Sequence, residues 1–581
     1  MRAPDRVRAF VRSDEIGILI TALIIGVLSG TTVAMVSAFT QKVHEVLFNL
    51  APGQRLSALT VRPNLLVFLA PAVGGILLGV FAYFTRPWTK RPLIDPIEAN
   101  ALFGGRLALS DSLVVLGQNI ISNGFGASIG LEAGYTQIAA GLASRIGVSL
   151  QVRRSDLRLL LGCGAAAAIA TAFNAPLTGS FYAFELIIGA YTVASLLPVV
   201  ASALVAVFTA RALVGNLPLI AIEDPGVTIH GNYLIAFVLG LFSAGLGIIV
   251  MQCVTTVETM SRRSKIPVFY RPILGGLFVG LAALIAPSVL SAGHGAMHLT
   301  VSERSSITAL TVLIVLKILA ASVSIGTGFR GGLFFASLFM GSIFGKIFAL
   351  VGTGLFPALH LASPLYSIVG MSALTVAVIG GPMTMTFMAL EMTGDFQITA
   401  LVLVAVLASS MLVRRVFGYS FATWRFHLRG ENIRSAHDIG WMRNLTVKRL
   451  MRTGVTTVLQ SMPLHDFQHD YPLGSAQRIV VLDDKERYAG LVLVNEAYAV
   501  DLEHNADLTV KDVMRYTNDF LLPEMNAKQA VTLFDKVESE ELAVLDTSAS
   551  RRVIGLLTEA HTLRRYSEEL DRIRRDAQGE R

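Results

Sequence analysis

The sequence predicts an all-α, polytopic membrane domain followed by a smaller α/β domain, and two observations support this prediction. Of the 581 residues, 53% are hydrophobic and 15% are charged, whereas about a quarter of the residues of a soluble domain are charged. The charge is also uneven: Glu185 is the one formally charged side chain in residues 159–210, but charged residues recur every few positions from residue 440 onward. We therefore expect a membrane domain at residues 15–430 and a soluble domain at residues 431–581.

The positions of the basic residues predict the orientation of the chain in the membrane. The net charge of +7 does not indicate a nucleic-acid partner, because much of the basic excess lies in short stretches beside apolar segments. These stretches are residues 1–12, 261–265 and 414–429. They follow the positive-inside rule, so we expect residues 1–14 to form a cytoplasmic N-terminal segment and the soluble tail to be cytoplasmic too. The predicted location is a bacterial inner (plasma) membrane, as an integral, multi-pass protein.

The apolar part of the chain contains an internal repeat. The segments "NAPLTGSFYAFEL" (174–186) and "GGPMTMTFMALEM" (380–392) share a proline and a glutamate, each separated by 206 residues. A weaker match sets residues 130–132 against residues 332–334, at a separation of 202 residues. Several apolar stretches are also shorter than the roughly 20 residues that cross a bilayer, or are interrupted by glycines. Such interruptions in corresponding places of two halves are typical of a transporter or channel whose helices break at the site.

The tail contains a repeat of its own. "NLTVKRLM" (444–451) and "DLTVKDVM" (507–514) lie 63 residues apart, and each precedes a region that ends in apolar runs typical of strands. A unit of about 60 residues that occurs twice is typical of a paired α/β module. We place the two units at about residues 444–503 and 507–570.

Two glycine-rich stretches are candidates for an anion site. "GASIGLEAG" (126–134) and "GTGFRGGLFF" (326–335) each combine glycines with a following segment suited to a helix. The N–H groups at a helix N-terminus attract anions, so two such termini at mid-membrane could hold one desolvated anion without a formal positive charge. The alternative is that the glycines serve only close helix packing.

Three segments resemble the CLC family of chloride channels and proton-coupled anion transporters. They are "SIGLEAGYTQIAAG" (128–141), "ATAFNAPLTGSFYAFE" (170–185) and "GTGFRGGLFFASLFMGS" (326–342). The resemblance covers about residues 15–430, and the tail resembles a pair of CBS domains. It implies a CLC-like inverted repeat of broken helices and a homodimer with one pore in each lipid-embedded subunit. It also implies that the protein is not an enzyme.

The resemblance also implies roles for individual residues. Glu132 falls on the gating glutamate, whose ionised side chain occupies an anion site until it is protonated or displaced. The implied anion-binding positions are Gly130, Leu131, Gly332, Leu333, Phe334, Leu93 and Ala422. The last two stand where other members of the family have a coordinating serine and tyrosine. The family's arginine before the gate falls on Leu131. The family's internal proton-transfer glutamate falls on Leu186, which leaves the neighbouring Glu185 as a candidate proton path.

Three functions stay open at this stage. A passive, voltage- or pH-gated chloride channel is favoured by Leu186. The alternative is a proton-coupled antiporter of chloride, fluoride or nitrate, and the third hypothesis is a transport-inactive membrane sensor that signals through the CBS pair. Glu185 and Glu391 could instead form hydrogen bonds at helix ends, and Arg330 could attract anions into a vestibule or extend to lipid headgroups.

No cofactor is expected to be required. The segment "GLLTEAH" (555–561) resembles the nucleotide-ribose motif of CBS domains, but the usual aspartate falls on His561. Adenine-nucleotide binding at the CBS pair is therefore the weaker alternative to a structural role. The two cysteines lie in apolar surroundings without a CxxC pair, which gives no indication of a metal site.

Overall fold

The computed structural model describes residues 4–59, 65–87, 93–215, 233–297, 305–428, 445–500 and 507–578. The chain divides into two compact units, residues 1–438 and residues 439–581. The first unit is helical where it is described, and the second combines helices with two small sheets. The fold class predicted from the sequence, a helical domain followed by an α/β domain, is confirmed.

Seventeen α-helices are described in the first unit. They are α1 (Asp5–Ser13), α2 (Glu15–Phe48), α3 (Leu65–Thr85), α4 (Pro96–Phe103), α5 (Leu109–Gly124), α6 (Glu132–Leu150), α7 (Arg154–Phe173), α8 (Pro176–Tyr182), α9 (Val193–Val214), α10 (Tyr233–Arg263), α11 (Arg271–Ile285), α12 (Ile307–Thr327), α13 (Phe334–Leu355), α14 (Ser363–Ile379), α15 (Pro382–Thr393), α16 (Phe396–Val416) and α17 (Phe421–Leu428). Helix α8 continues into a π-helical turn, Ala183–Ile188.

Local sequence signals explain where several of these helices begin and end. Asp95 precedes Pro96 at the start of α4, and its Oδ1 accepts the Glu98 N–H at 2.8 Å, which is an N-cap. Asp395 caps α16 in the same way. Helix α2 ends at Asn49, which adopts the left-handed conformation with φ of 51°.

Eight helices of the described chain are long and apolar enough to cross a membrane. They begin at Glu15, Leu65, Arg154, Val193, Tyr233, Ile307, Phe334 and Phe396. The segments Pro176–Ile188, Arg271–Ile285 and Ser363–Ile379 are apolar but shorter. Short apolar helices among long ones agree with the broken-helix architecture expected from the repeat.

The second unit carries two antiparallel strand pairs, one in each repeat. Strand β1 (Thr457–Leu459) lies parallel to β2 (Arg478–Leu482), which pairs antiparallel with β3 (Tyr488–Leu493). Strand β4 (Glu541–Leu545) pairs antiparallel with β5 (Val553–Thr558). The described helices of this unit are α18 (Val447–Leu450), α19 (Leu464–Asp470), α20 (Val494–Tyr498), α21 (Val510–Val513), α22 (Ala527–Val537) and α23 (Glu559–Gln578). The short helices α18 and α21 both begin at the repeated "TVK" sequence.

Candidate functional site

The two halves of the membrane unit meet where α6 and α13 begin. The Gly130 N–H donates to the Gly332 carbonyl at 2.9 Å, and the Gly332 N–H donates to the Gly130 carbonyl at 3.1 Å. Each glycine lies two residues before the first residue of its helix. This bridge holds the N-termini of two helices side by side, so their partial positive charges act on one small volume.

The start of α13 offers free hydrogen-bond donors to that volume. The backbone N–H groups of Leu333 and Phe334 have no hydrogen-bond partner among the described residues, and no side chain caps the helix. Both residues are buried, at 1% and 3% exposure, and both line a cavity. Uncapped N–H groups at a buried helix end are suited to binding an anion.

The carboxylate of Glu132 occupies this helix end. Glu132 is the first residue of α6 and is 5% exposed. The backbone N–H groups of Phe335 and of Glu132 itself interact electrostatically with the carboxylate. The Glu132 Oε2 atom has no hydrogen-bond partner among the described residues and lies 3.0 Å from where a Cβ on Gly332 would stand. A carboxylate in this position takes the place that a free anion would fill.

Glu132 also lies between two cavities of unequal size. The large cavity has a volume of about 920 Å³, and the small cavity has a volume of about 280 Å³. Glu132 lines both cavities. This side chain is therefore in contact with both spaces.

The residues assigned to anion binding are distributed over the two cavities. Gly332, Leu333, Phe334, Leu93 and Ala422 line the large cavity, as do Leu186 and Arg330. Leu131 lines the small cavity. Gly130 contributes the backbone bridge to Gly332. The structure thus brings these positions to one region around Glu132, although Leu93 and Ala422 supply no polar side chain to it.

Tyr182 supplies a hydroxyl that the sequence did not lead us to expect. Tyr182 lines the large cavity, and its ring centroid lies 6.0 Å from that of Phe334. The Thr136 side chain interacts with the Tyr182 hydroxyl, and the Thr136 Oγ1 donates to the Glu132 carbonyl at 2.9 Å. The only sequence signal was its place in the repeated segment, three residues before Glu185.

Glu185 and Glu391 form a reciprocal pair of helix caps. The Glu391 carboxylate accepts the N–H groups of Leu177 at 2.7 Å and Thr178 at 2.8 Å, and the Thr178 hydroxyl at 2.6 Å. It thereby closes the start of α8.

Glu185 does the same for α15. It accepts the N–H groups of Met383 at 3.0 Å and Thr384 at 2.9 Å, and the Thr384 hydroxyl at 2.7 Å. Each half of the repeat therefore caps a helix of the other half. Glu185 lines neither cavity, so the structure places it away from the other assigned residues.

Asn119 ties the two glycine-rich stretches together. Its Nδ2 donates to the carbonyls of Gly130 at 3.1 Å and Arg330 at 2.8 Å, and its Oδ1 accepts the Gly134 N–H at 2.9 Å. The side chain is fully buried. Sequence analysis missed this residue because its carbonyl partners are 11 and 211 positions away.

Lys317 is a fully buried cation in α12. Its Nζ donates to the carbonyls of Val289 at 3.0 Å and Ser291 at 2.7 Å. It interacts electrostatically with Glu132. Ionisable groups inside a membrane segment are costly and commonly functional, so the one lysine in an apolar helix was a signal that the sequence contained.

Comparison with known proteins identifies relatives of the membrane unit. A family model described as "Voltage gated chloride channel" matches residues 94–414. A "Putative chloride channel protein ClcB-like" of Ralstonia nicotianae is 32% identical over 338 residues, covering 57% of this chain and 78% of the relative. A "Voltage-gated ClC-type chloride channel ClcB" of Citrobacter koseri is 28% identical over 403 residues, covering 68% of this chain and 95% of the relative.

Solved structures share the fold. A slow cyanobacterial Cl⁻/H⁺ antiporter aligns with a TM-score of 0.61 and 22% identity, covering 71% of this chain and 97% of that one. A eukaryotic CLC transporter aligns with a TM-score of 0.60 and 16% identity, covering 94% and 97%. A CLC-type fluoride/proton antiporter aligns with a TM-score of 0.56 and 20% identity, covering 69% and 96%. At these identities the likeness establishes the fold alone.

Proposed function

Because the chain belongs to the voltage-gated chloride channel family, which makes it an integral, multi-pass membrane protein of anion transport, we propose that Glu132 gates one anion pathway in each subunit. The observation that carries this proposal is the position of its carboxylate. It lies on the uncapped N-terminus of α13, between two cavities. The proposed substrate is chloride or a similar small anion.

The gate works by competition for the same helix end. While the Glu132 carboxylate is ionised and in place, it occupies the helix end and an anion is excluded by charge and by volume. When it is protonated or displaced, the N–H groups of Leu333 and Phe334 hold a desolvated anion, and Gly130 and Gly332 leave room for it. Leu131, Leu93 and Ala422 then complete the wall of the pathway without a polar side chain.

Passive transport is the favoured form of this function. Leu186 lines the large cavity where the family resemblance places an internal proton-transfer glutamate. The neighbouring Glu185 uses both carboxylate oxygens to cap α15, and these bonds would be lost if it carried protons. Both observations support a channel without obligatory proton coupling.

Proton-coupled exchange is the second candidate. Two of the solved structures with this fold are, by their titles, antiporters of chloride or fluoride with protons. Under this alternative Glu185 or water would supply the inner proton route. A transport-inactive sensor is the third candidate, and any anion flux through the purified protein would exclude it.

Flux recordings from proteoliposomes distinguish the three candidates. Chloride efflux and proton movement are recorded together for the wild type, for E132Q, and for D111N, which changes a carboxylate that lines neither cavity. We expect chloride efflux in the wild type and D111N, and altered efflux in E132Q. Passive transport predicts no uphill proton movement under a chloride gradient. Uphill proton movement would establish exchange, and absence of flux would support the sensor.

We further propose a homodimer in a bacterial inner membrane, with the N-terminus and tail in the cytoplasm. The basic lining of the large cavity supports this orientation, since it includes Arg86, Arg262, Arg271 and Arg425. The paired strand–helix repeats of the tail support its assignment as a CBS pair. We propose that this pair modulates transport through a structural role.

A further inference from the structure

The small cavity has an arginine at its wall whose backbone is firmly anchored. Arg55 precedes the short 3₁₀ turn Leu56–Ala58 that follows α2. Leu56 is 1% exposed, and the Ser57 Oγ accepts the N–H groups of Gly295 at 2.9 Å and Ala296 at 3.2 Å. These contacts fix the turn, so the backbone of Arg55 is held at the cavity.

The charges around this cavity are strongly unequal. Its described lining includes the basic or titratable side chains of Arg55, Arg211, His44 and His294, and Glu132 is the one carboxylate among the described lining residues. The Arg211 guanidinium is engaged, because it donates to the Asn174 Oδ1 at 2.8 Å. The cavity therefore carries an excess of positive charge next to the buried carboxylate.

Arg55 is exposed, and it is the arginine of this cavity that has no ion-pair or hydrogen-bond partner among the described residues. Its guanidinium forms no ion pair or hydrogen bond with any residue in the part of the chain that the structure describes. It interacts electrostatically with Tyr135 and His44, which also line the cavity. The positive charge of Arg55 is therefore available to attract a mobile anion into this space.

Arg55 also brings a positive charge to the cavity that the gate segment lines. The family resemblance places an arginine at Leu131, and Leu131 lines this same cavity. The start of α6 therefore lacks the positive charge of that arginine, whereas Arg55 brings one from a different segment of the chain. Arg55 thus supplies the small cavity with a positive charge that the gate segment does not.

We propose that Arg55 is the anion-capture residue of the small cavity. It draws a small monovalent anion into the cavity and holds it beside Glu132, ready to replace the carboxylate at the helix end. This inference rests on the proposed transport function. A fixed charge at the mouth of a narrow cavity raises the local concentration of counter-ions by about tenfold or more at low salt, and the gain falls as ionic strength rises.

The test is the concentration dependence of anion uptake by proteoliposomes. Radiolabelled chloride uptake is measured for the wild type, R55Q, R55M and R55K, with R145Q as the matched control. Arg145 is exposed and lines neither cavity, so R145Q removes the same charge elsewhere. We expect R55Q and R55M to raise the KM for chloride about three- to tenfold at low ionic strength, with maximal flux within about twofold of the wild type.

The controls separate charge from structure. R55K and R145Q are expected to match the wild type, and the effect of R55Q should shrink when an impermeant salt screens the charge. A wild-type KM in R55Q and R55M, an equal rise in R55K, or an equal rise in R145Q would each overturn the proposal. E132Q is measured in the same series. If E132Q alters transport as expected and R55Q does not, the role of Arg55 alone is overturned. If E132Q has no effect, the transport gate itself is overturned.

Discussion

At the scale of single residues, the site is built mostly from backbone, and one carboxylate lies in it. The position of the Glu132 carboxylate depends on a neighbouring glycine, because a Cβ on Gly130 would overlap it. Side chains that line the two cavities come from distant parts of the chain, as Arg55 and Tyr182 do.

The Tyr182 hydroxyl is expected to contribute to anion affinity. Leu93 and Ala422 provide no hydroxyl to the large cavity, and Tyr182 does. A hydrogen bond contributes about 0.5–1.5 kcal/mol, so Y182F should raise the chloride KM about two- to tenfold. Uptake kinetics measure this. The matched control is Y366F, since the buried Tyr366 hydroxyl has no partner in the described part of the chain and Tyr366 lines neither cavity. Equal kinetics in Y182F and the wild type would remove Tyr182 from the pathway.

The sequence identified Glu132 and the matched glycines because they are local patterns. The roles of Arg55 and Asn119 were not predictable, since each depends on residues that are far apart in the sequence, whereas the single lysine of α12, Lys317, was a signal that the sequence contained. Backbone donors at a helix end can be inferred from glycines, whereas side chains that converge through tertiary packing cannot.

At the scale of elements, each half of the internal repeat stabilises a helix of the other half. Each of the helices α8 and α15 has its first turn closed by a glutamate from the other half of the repeat. The 206-residue separation predicted that Glu185 and Glu391 were equivalent, and helix-end hydrogen bonding was one of the two interpretations. It could not predict that the partners are exchanged, because that depends on how the halves pack.

Removing either cap is expected to destabilise the membrane unit. E391A leaves the N–H groups of Leu177 and Thr178 without their acceptor, and E185A does the same at Met383 and Thr384. An unsatisfied buried donor costs about 1–3 kcal/mol, so both variants should lower the melting temperature in detergent by similar amounts.

The conservative variants refine this prediction. E391Q and E185Q keep one acceptor oxygen and should lose less stability. If E185A altered proton movement in liposomes while its melting temperature stayed at the wild-type value, Glu185 would act in a proton path and not as a structural cap.

At the scale of the whole molecule, the chain joins an anion-transport unit to an α/β tail. Composition and charge distribution were sufficient to predict both parts, because membrane burial excludes charge over long stretches and the tail does not. The arrangement of strands in the tail followed from its repeat. The ligands of the tail could not be predicted from its repeat, since a ribose-binding carboxylate is one side chain and cannot be inferred from the fold.

The tail is expected not to bind adenine nucleotides. His561 stands where the ribose-binding aspartate is expected, and its backbone N–H donates to the Thr558 Oγ1 at 3.3 Å. A ligand that binds only the folded state raises its stability in proportion to RT ln(1 + [L]/Kd). Thermal unfolding of the full-length protein should therefore be the same with and without millimolar ATP or AMP. A nucleotide-dependent rise, absent with inorganic phosphate, would contradict this prediction.

The most direct test of the central claim is chloride efflux from liposomes at an acidic and a neutral pH, for the wild type and E132Q. A carboxylate that plugs the anion site releases it on protonation, so wild-type efflux should be faster at acidic pH. The E132Q protein carries a permanently neutral side chain at the gate, so its efflux should be nearly equal at both pH values and at least as fast as that of the acidic wild type. An E132Q protein that keeps the wild-type pH dependence would contradict the assignment of Glu132 as the gate.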